Sequence, residues 1–123
     1  MQKPCANVNA LSQVADYFKV LSEVSRIMVL CSLKSGAKSV KEIMQDTGLG
    51  QANVSKHLKI LRDAGFVIRK PEGVSAYYEI ADEVIFELCE LACDRLSIRL
   101  QEKAQQSQEL KALHQSVLVG KAG

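Results

Sequence analysis

Residues 39–80 read SVKEIMQDTGLGQANVSKHLKILRDAGFVIRKPEGVSAYYEI, and the periodicity changes twice within them. Ser39-x-x-Glu42 is a capping box: the hydroxyl accepts from a backbone N–H while the carboxylate reaches back to the cap. It opens a short third helix carrying Val40, Ile43 and Met44. Thr47-Gly48-Leu49-Gly50 reads as a turn. A fourth helix over 51–64 follows, with Val54, Leu58 and Leu61 as its inward stripe and Gly65 as the residue that ends it. Phe66–Lys70 then turns strand-like, 71–75 carries turn residues, and Ala76–Ile80 is strand-like again, which predicts a β-hairpin.

Working outward, Leu11, Val14, Phe18 and Leu21 recur at helical spacing and predict helix one over 9–21. Ser22 is placed to cap helix two. The apolar stripe of that helix is Val24, Ile27, Met28 and Cys31, so Cys31 is expected on its buried face. Asp82 is placed to cap a long helix five over 83–115. The predicted order is α-α-α-α-β-β-α, mainly α with a small β-hairpin wing. The organisation expected is a flexible arm over 1–8, one domain over 9–115 and a frayed tail over 116–123. A chain of 123 residues fits one domain.

Composition removes several functional classes. There is no apolar run of about 18 residues, so no membrane span is expected. The N-terminal MQKPCANVNA lacks the apolar core of a signal peptide, and a cytoplasmic setting follows as the expectation. Four cysteines in that setting read as ligands, sensors or core rather than as a disulfide framework. No Gly-rich phosphate loop, HExxH or GxSxG is present, and neither His57 nor His114 lies near a cysteine in sequence, so no enzyme is expected and no cofactor is required.

The net charge is +2, but it is unevenly spread. Residues 34–70 hold eight Lys/Arg against three acids, while the remainder is net acidic. A basic middle points to a polyanion, the plain alternative being a solvated surface. On a helical wheel Ala52, Ser55, Lys56, Lys59 and Arg62 fall opposite the inward stripe of helix four. A short helix, tight turn, basic helix and basic hairpin is the layout of a winged helix-turn-helix that docks in the major groove of double-stranded DNA. The candidate contacts are Gln51 and Asn53 for base edges and Ser55, Lys56, Lys59 and Arg62 for bases and phosphates. Arg69, Lys70 and Ser75 are the candidates on the wing. His57 reads as a structural residue flanking the core stripe rather than a base reader.

VLSEVSRIMVLCSL (20–33) together with residues 43–80 resembles the ArsR/SmtB family of bacterial transcriptional repressors. The resemblance is carried by Leu21-x-x-x-x-Arg26, by VSKHLKILRDAGFV (54–67) and by the Gly-containing wing ending in YYEI. It implies a homodimer joined through helices one and five, helix four in the operator, and release by a small inducer. One departure is Gly50, where the family usually places a serine before the reading helix.

The family's metal sites are missing from this sequence. Helix three lacks a Cys-x-Cys pair, and Asp94-Arg95-Leu96 replaces the Asp-x-His of zinc sensors. The soft ligands are Cys5, Cys31, Cys89 and Cys93. The setting of Cys31, RIMVLCSL, resembles the persulfide-sensing branch, which implies a sulfur bridge to Cys89 or Cys93, although that branch places its second cysteine near Leu96. The alternative is arsenite or antimonite, or another thiophilic ion, held by Cys89, Cys93 and a third thiol such as Cys5. Cys89 and Cys93 are one helical turn apart, about 5–6 Å at Cβ, against the roughly 3.5–4.5 Å of a disulfide. Two plainer readings stand beside these: cysteines as core filler, and the fold as a protein–protein module.

Overall fold

The computed structural model describes residues 7–122, with side chains described through 117. Its elements are α1 (Val8–Val20), α2 (Val24–Ser32), a 3-10 turn (Leu33–Ser35), α3 (Val40–Thr47), α4 (Gln51–Asp63), β1 (Val67–Glu72), β2 (Ser75–Ile80) and α5 (Val84–Ala122). The predicted order of five helices and one hairpin is the observed one. Two units divide the chain, residues 1–83 and residues 84–123.

The core of the first unit forms where α2, α3, α4 and β1 meet. Leu30, Leu33, Ile43, Val54, Leu58, Leu61, Phe66 and Val67 are all buried. The three inward residues predicted for α4 are 0–1% exposed, and burying each stabilises the unit by about 1.5–3 kcal/mol. Tyr17 of α1 packs on Phe66, with ring centroids 4.8 Å apart. Apart from that contact α1 buries little: Val8, Leu11, Val14 and Phe18 remain between 44% and 72% exposed.

Local chemistry sets the helix ends. Ser39 accepts from the Glu42 N–H at 3.3 Å and Glu42 accepts from the Ser39 N–H at 3.2 Å, so the predicted capping box is present. At the end of α4 the Phe66 N–H donates to Leu61 O at 2.8 Å and the Gly65 N–H to Arg62 O at 3.0 Å. That is a Schellman closure, and it needs a left-handed residue, here Gly65 at φ +85°. A Cβ at Gly65 meets nothing within 4 Å, so Gly65→Ala imposes backbone strain alone. The expected cost is about 1 kcal/mol, read as a lower urea midpoint. An unchanged midpoint would contradict this role.

The hairpin is tighter than the sequence implied. Its ladder runs from Val67↔Ile80 to Glu72↔Ser75, leaving a two-residue turn, Gly73-Val74, instead of a loop over 71–75. Gly73 at φ +60°, followed by a residue of ordinary φ, is the arrangement that suits the twist of the two strands. A further bridge joins Lys38 to Tyr78, each N–H donating to the other's carbonyl at 2.8–2.9 Å. It ties the segment before α3 to the wing.

Three expectations need correction. Ser22 does not cap α2: its hydroxyl donates to Lys19 O at 2.6 Å, and Glu23 occupies the cap position without a side-chain bond. Cys31 is exposed rather than buried, and Val24 and Met28 are exposed with it. Helix α2 packs its Val29, Leu30 and Leu33 side inward, so the stripe predicted from periodicity lies on the opposite face. Finally, α5 continues to Ala122, past the boundary expected at 115, because no Pro and no glycine before position 120 interrupts it.

Candidate nucleic-acid interface

Helix α3, its turn and α4 form a rigid pair. Gly48 ends α3 at φ +75°, its N–H donating to Met44 O at 2.9 Å. Thr47 bridges the corner: its hydroxyl donates to Ile43 O at 2.8 Å and accepts from the Leu49 N–H at 3.2 Å. Gly50, extended, is the N-cap of α4 and supplies no side-chain cap. Amides of the first turn of α4 are therefore available to an outside acceptor such as phosphate.

Every polar residue assigned to α4 from the sequence is exposed: Gln51, Asn53, Ser55, Lys56, Lys59 and Arg62. They share the solvent side because Val54, Leu58 and Leu61 hold the other side in the core. On the wing, Arg69, Lys70 and Ser75 are exposed as well. Gln51, Arg69 and Ser75 line one groove between the α3–α4 corner and the wing, together with Met44 and Tyr78. Lys70 differs. Adjacent strand residues alternate faces, so it projects away from Arg69, and its ammonium pairs with Glu79 Oε1 at 2.7 Å. The role of the Lys38–Tyr78 bridge in holding the wing was not legible in the sequence, since Lys38 gives no strand signal.

Behind the corner lies a second polar cluster. Asp46 of α3 accepts from the Ser32 hydroxyl at 2.8 Å and from the Lys38 ammonium. Those two donors, Lys38 first, hold its carboxyl below the usual carboxylate value. Cys31 opens onto the hollow that Ser32, Lys38, Asp46 and Met28 line. Of the other cysteines, Cys93 is exposed and Cys89 half-buried. Cys5 lies outside the described residues. Among the described residues no three of His, Cys, Asp and Glu come together as a metal cluster.

Two residues carry more than their sequence signals showed. Arg26 binds the last turn of α1, donating from Nε to Val20 O at 2.6 Å and from Nη2 to Lys19 O at 3.4 Å, and it pairs with Glu23 at 2.7 Å. It supplies a donor to the helix-end carbonyl of Val20 and adds a long third contact to Lys19 O, which already accepts from the Ser22 N–H and hydroxyl. His57 is not a flank residue: it is 3% exposed, inside the core face of α4.

Comparison with known proteins agrees with this geometry. Residues 23–69 match the model of a family described as "Bacterial regulatory protein, arsR family". The HTH-type transcriptional regulator NmtR of Mycobacterium tuberculosis is 32% identical over 68% of this chain and 69% of its own length. The crystal structure of M. tuberculosis Rv0081 superposes with a TM-score of 0.67 at 32% identity, over 84% of this chain and 99% of that one. A homodimeric winged helix-turn-helix DNA-binding domain from Mycobacterium bovis, Mb0332, gives 0.65 at 30% identity, over 76% and 90% of the two chains.

Proposed function

The chain belongs to the arsR family of bacterial regulatory proteins, and on that premise we propose that it is a repressor whose homodimer binds operator DNA through α4 and the wing and is released when its cysteines react with a persulfide, another reactive sulfur species or an oxidant. It is a DNA-binding regulator and not an enzyme. The observation that carries the DNA contacts is the unbroken exposed row of Gln51, Asn53, Ser55, Lys56, Lys59 and Arg62, with Arg69 and Ser75 beside it on the wing. The lysines and arginines neutralise phosphates, and the Gln51 and Asn53 amides match the edge of adenine. Arg69 suits the negative potential of a narrow minor groove. Lys70 is the weaker contact, because Glu79 already holds its charge.

A second copy is the partner that fits the exposed apolar face of α1 (Val8, Leu11, Val14, Phe18) and, separately, Leu88, Leu91, Leu96 and Leu100 of α5.

The sulfur reading is supported by the exposure of Cys31, since a thiol must be reachable to react. Cys89 or Cys93 is the partner assigned to it. The second reading, arsenite or antimonite on Cys89 and Cys93 with Cys5 as third thiolate, is supported by the one-turn spacing of the pair on α5.

Intact mass and duplex binding separate them. Polysulfide is expected to leave added sulfur on the protein and to lower its affinity for a duplex carrying its own promoter, and Cys31→Ser is expected to abolish both effects. Full polysulfide response in Cys31→Ser sinks the sulfur reading. Arsenite, if it is the inducer, releases the duplex without a covalent mark once chelated away, and loses that effect in Cys89→Ser. Should the reduced protein not shift the duplex at low salt, the repressor reading fails.

A further inference from the structure

His57 lies on the core face of α4, in the same inward row as Val54, Leu58 and Leu61. Its Nε2 is 3.5 Å from Glu23 Oε1, at the start of α2. The other oxygen of Glu23 accepts from Arg26 at 2.7 Å, and Arg26 in turn holds the carbonyls of Val20 and Lys19. A line of polar contacts therefore runs from the last turn of α1 through Arg26 and Glu23 to the reading helix. His57 Nδ1 ends that line, buried and without a hydrogen-bond partner.

This placement suits one protonation state. With the ring neutral, the proton belongs on Nε2, facing the carboxylate, and Nδ1 keeps a bare lone pair. Adding a proton creates an N–H donor at Nδ1 in a space that offers no acceptor, and it places a charge in the core of a small domain. Among the described residues, the charges that bear on the ring are Glu23 and Arg26 from α2 and Lys56 from α4 itself. Burial lowers the imidazole from its ordinary 6.5. Glu23 opposes that, and Arg26 and Lys56 reinforce it.

We propose that His57 positions the reading helix only while its imidazole is neutral, so that acidification loosens α4 from α2 and weakens duplex binding. The inference rests on the DNA-binding reading of α4 above. Its sign follows from linkage. The opened form takes a proton at the ordinary histidine value and the docked form only at lower pH. In that window the opened form binds more protons, so docking strengthens as pH rises. The contribution is complete above about 6.5 and is lost as the pH falls below it.

The test uses the full chain from pH 7.5 to 5.5. Amide hydrogen exchange at Leu58 and Leu61, corrected for the intrinsic rate, is expected to show opening that rises by up to about tenfold per pH unit below 6.5. For binding, the probe is a duplex selected by the wild type from a random-sequence pool at pH 8. Its affinity is expected to fall about threefold or more by pH 5.5. His57→Gln keeps an N–H for Glu23, does not titrate, and is expected to be flat in both measurements. Wild-type opening that is flat in pH overturns the proposal even if the variant does not fold. So does parallel loss of affinity in wild type and variant. Failure to select any duplex at pH 8 removes the DNA-binding reading and with it the effect on binding, while the exchange data decide separately whether His57 loosens α4.

Discussion

Leu61→Ala is expected to destabilise the first unit by about 2–5 kcal/mol, enough to remove much of the stability of a domain this size. Leu61 is 0% exposed at the centre of the α2, α3 and α4 packing. Its carbonyl also accepts the Phe66 N–H that closes α4. Truncation leaves a cavity that α4 cannot collapse into without dragging the hairpin with it, because that bond fixes where β1 begins. Urea unfolding followed by circular dichroism reads the effect. The matched control is Leu113→Ala on α5, where the side chain is 60% exposed and the single chain loses little. If Leu61→Ala shifted the midpoint no more than Leu113→Ala, the assigned core would be wrong.

Removing Lys59 and Arg62 together is expected to weaken duplex binding on the order of a hundredfold at moderate salt while leaving the fold intact. Both side chains are exposed on the face of α4 away from the core, so neither holds the domain together. A dimer loses four cations, and the slope of log affinity against log salt should shrink by roughly 3 to 4 units. Gln51→Ala is expected to act differently, leaving the slope alone and changing which base pairs are preferred, since an amide reads edges rather than phosphates. Fluorescence anisotropy across a salt series makes the distinction. A double variant with wild-type slope would show that α4 does not face the phosphates.

The exposed polar face of α4 was legible because its information is local. Val54, Leu58 and Leu61 repeat at helical spacing, and the polar residues between them are thereby forced outward. Lys70 shows the limit of that reasoning. Its charge and exposure were readable, but its pairing with Glu79 depends on a hairpin register set by the Gly73-Val74 turn. Cys31 shows it more sharply. The stripe Val24, Ile27, Met28 and Cys31 is a genuine apolar row, yet α2 is apolar on two sides, and periodicity alone does not say which side meets α3 and α4. The structure chose Leu30 and Leu33, and so left the thiol accessible. His57 was misplaced in the opposite direction: its spacing from Val54 and Leu61 fits the inward row of α4, but its polarity argued for the edge, and the Glu23 carboxylate that faces its Nε2 lies more than thirty residues earlier.

By itself, then, the sequence determined what neighbours within one or two helical turns can decide. That covers the order of elements, the Ser39–Glu42 cap, the Gly65 stop, the inward stripe of α4 and the basic polar row facing away from it. Only the tertiary structure decided which face of α2 is covered, where the wing is tied down by Lys38 and Tyr78, and that His57 is sealed on the buried face of α4. Those outcomes depend on surfaces brought together from distant parts of the chain. Each is settled by which pairing buries the most apolar area with the fewest stranded polar groups, a comparison no single helix contains.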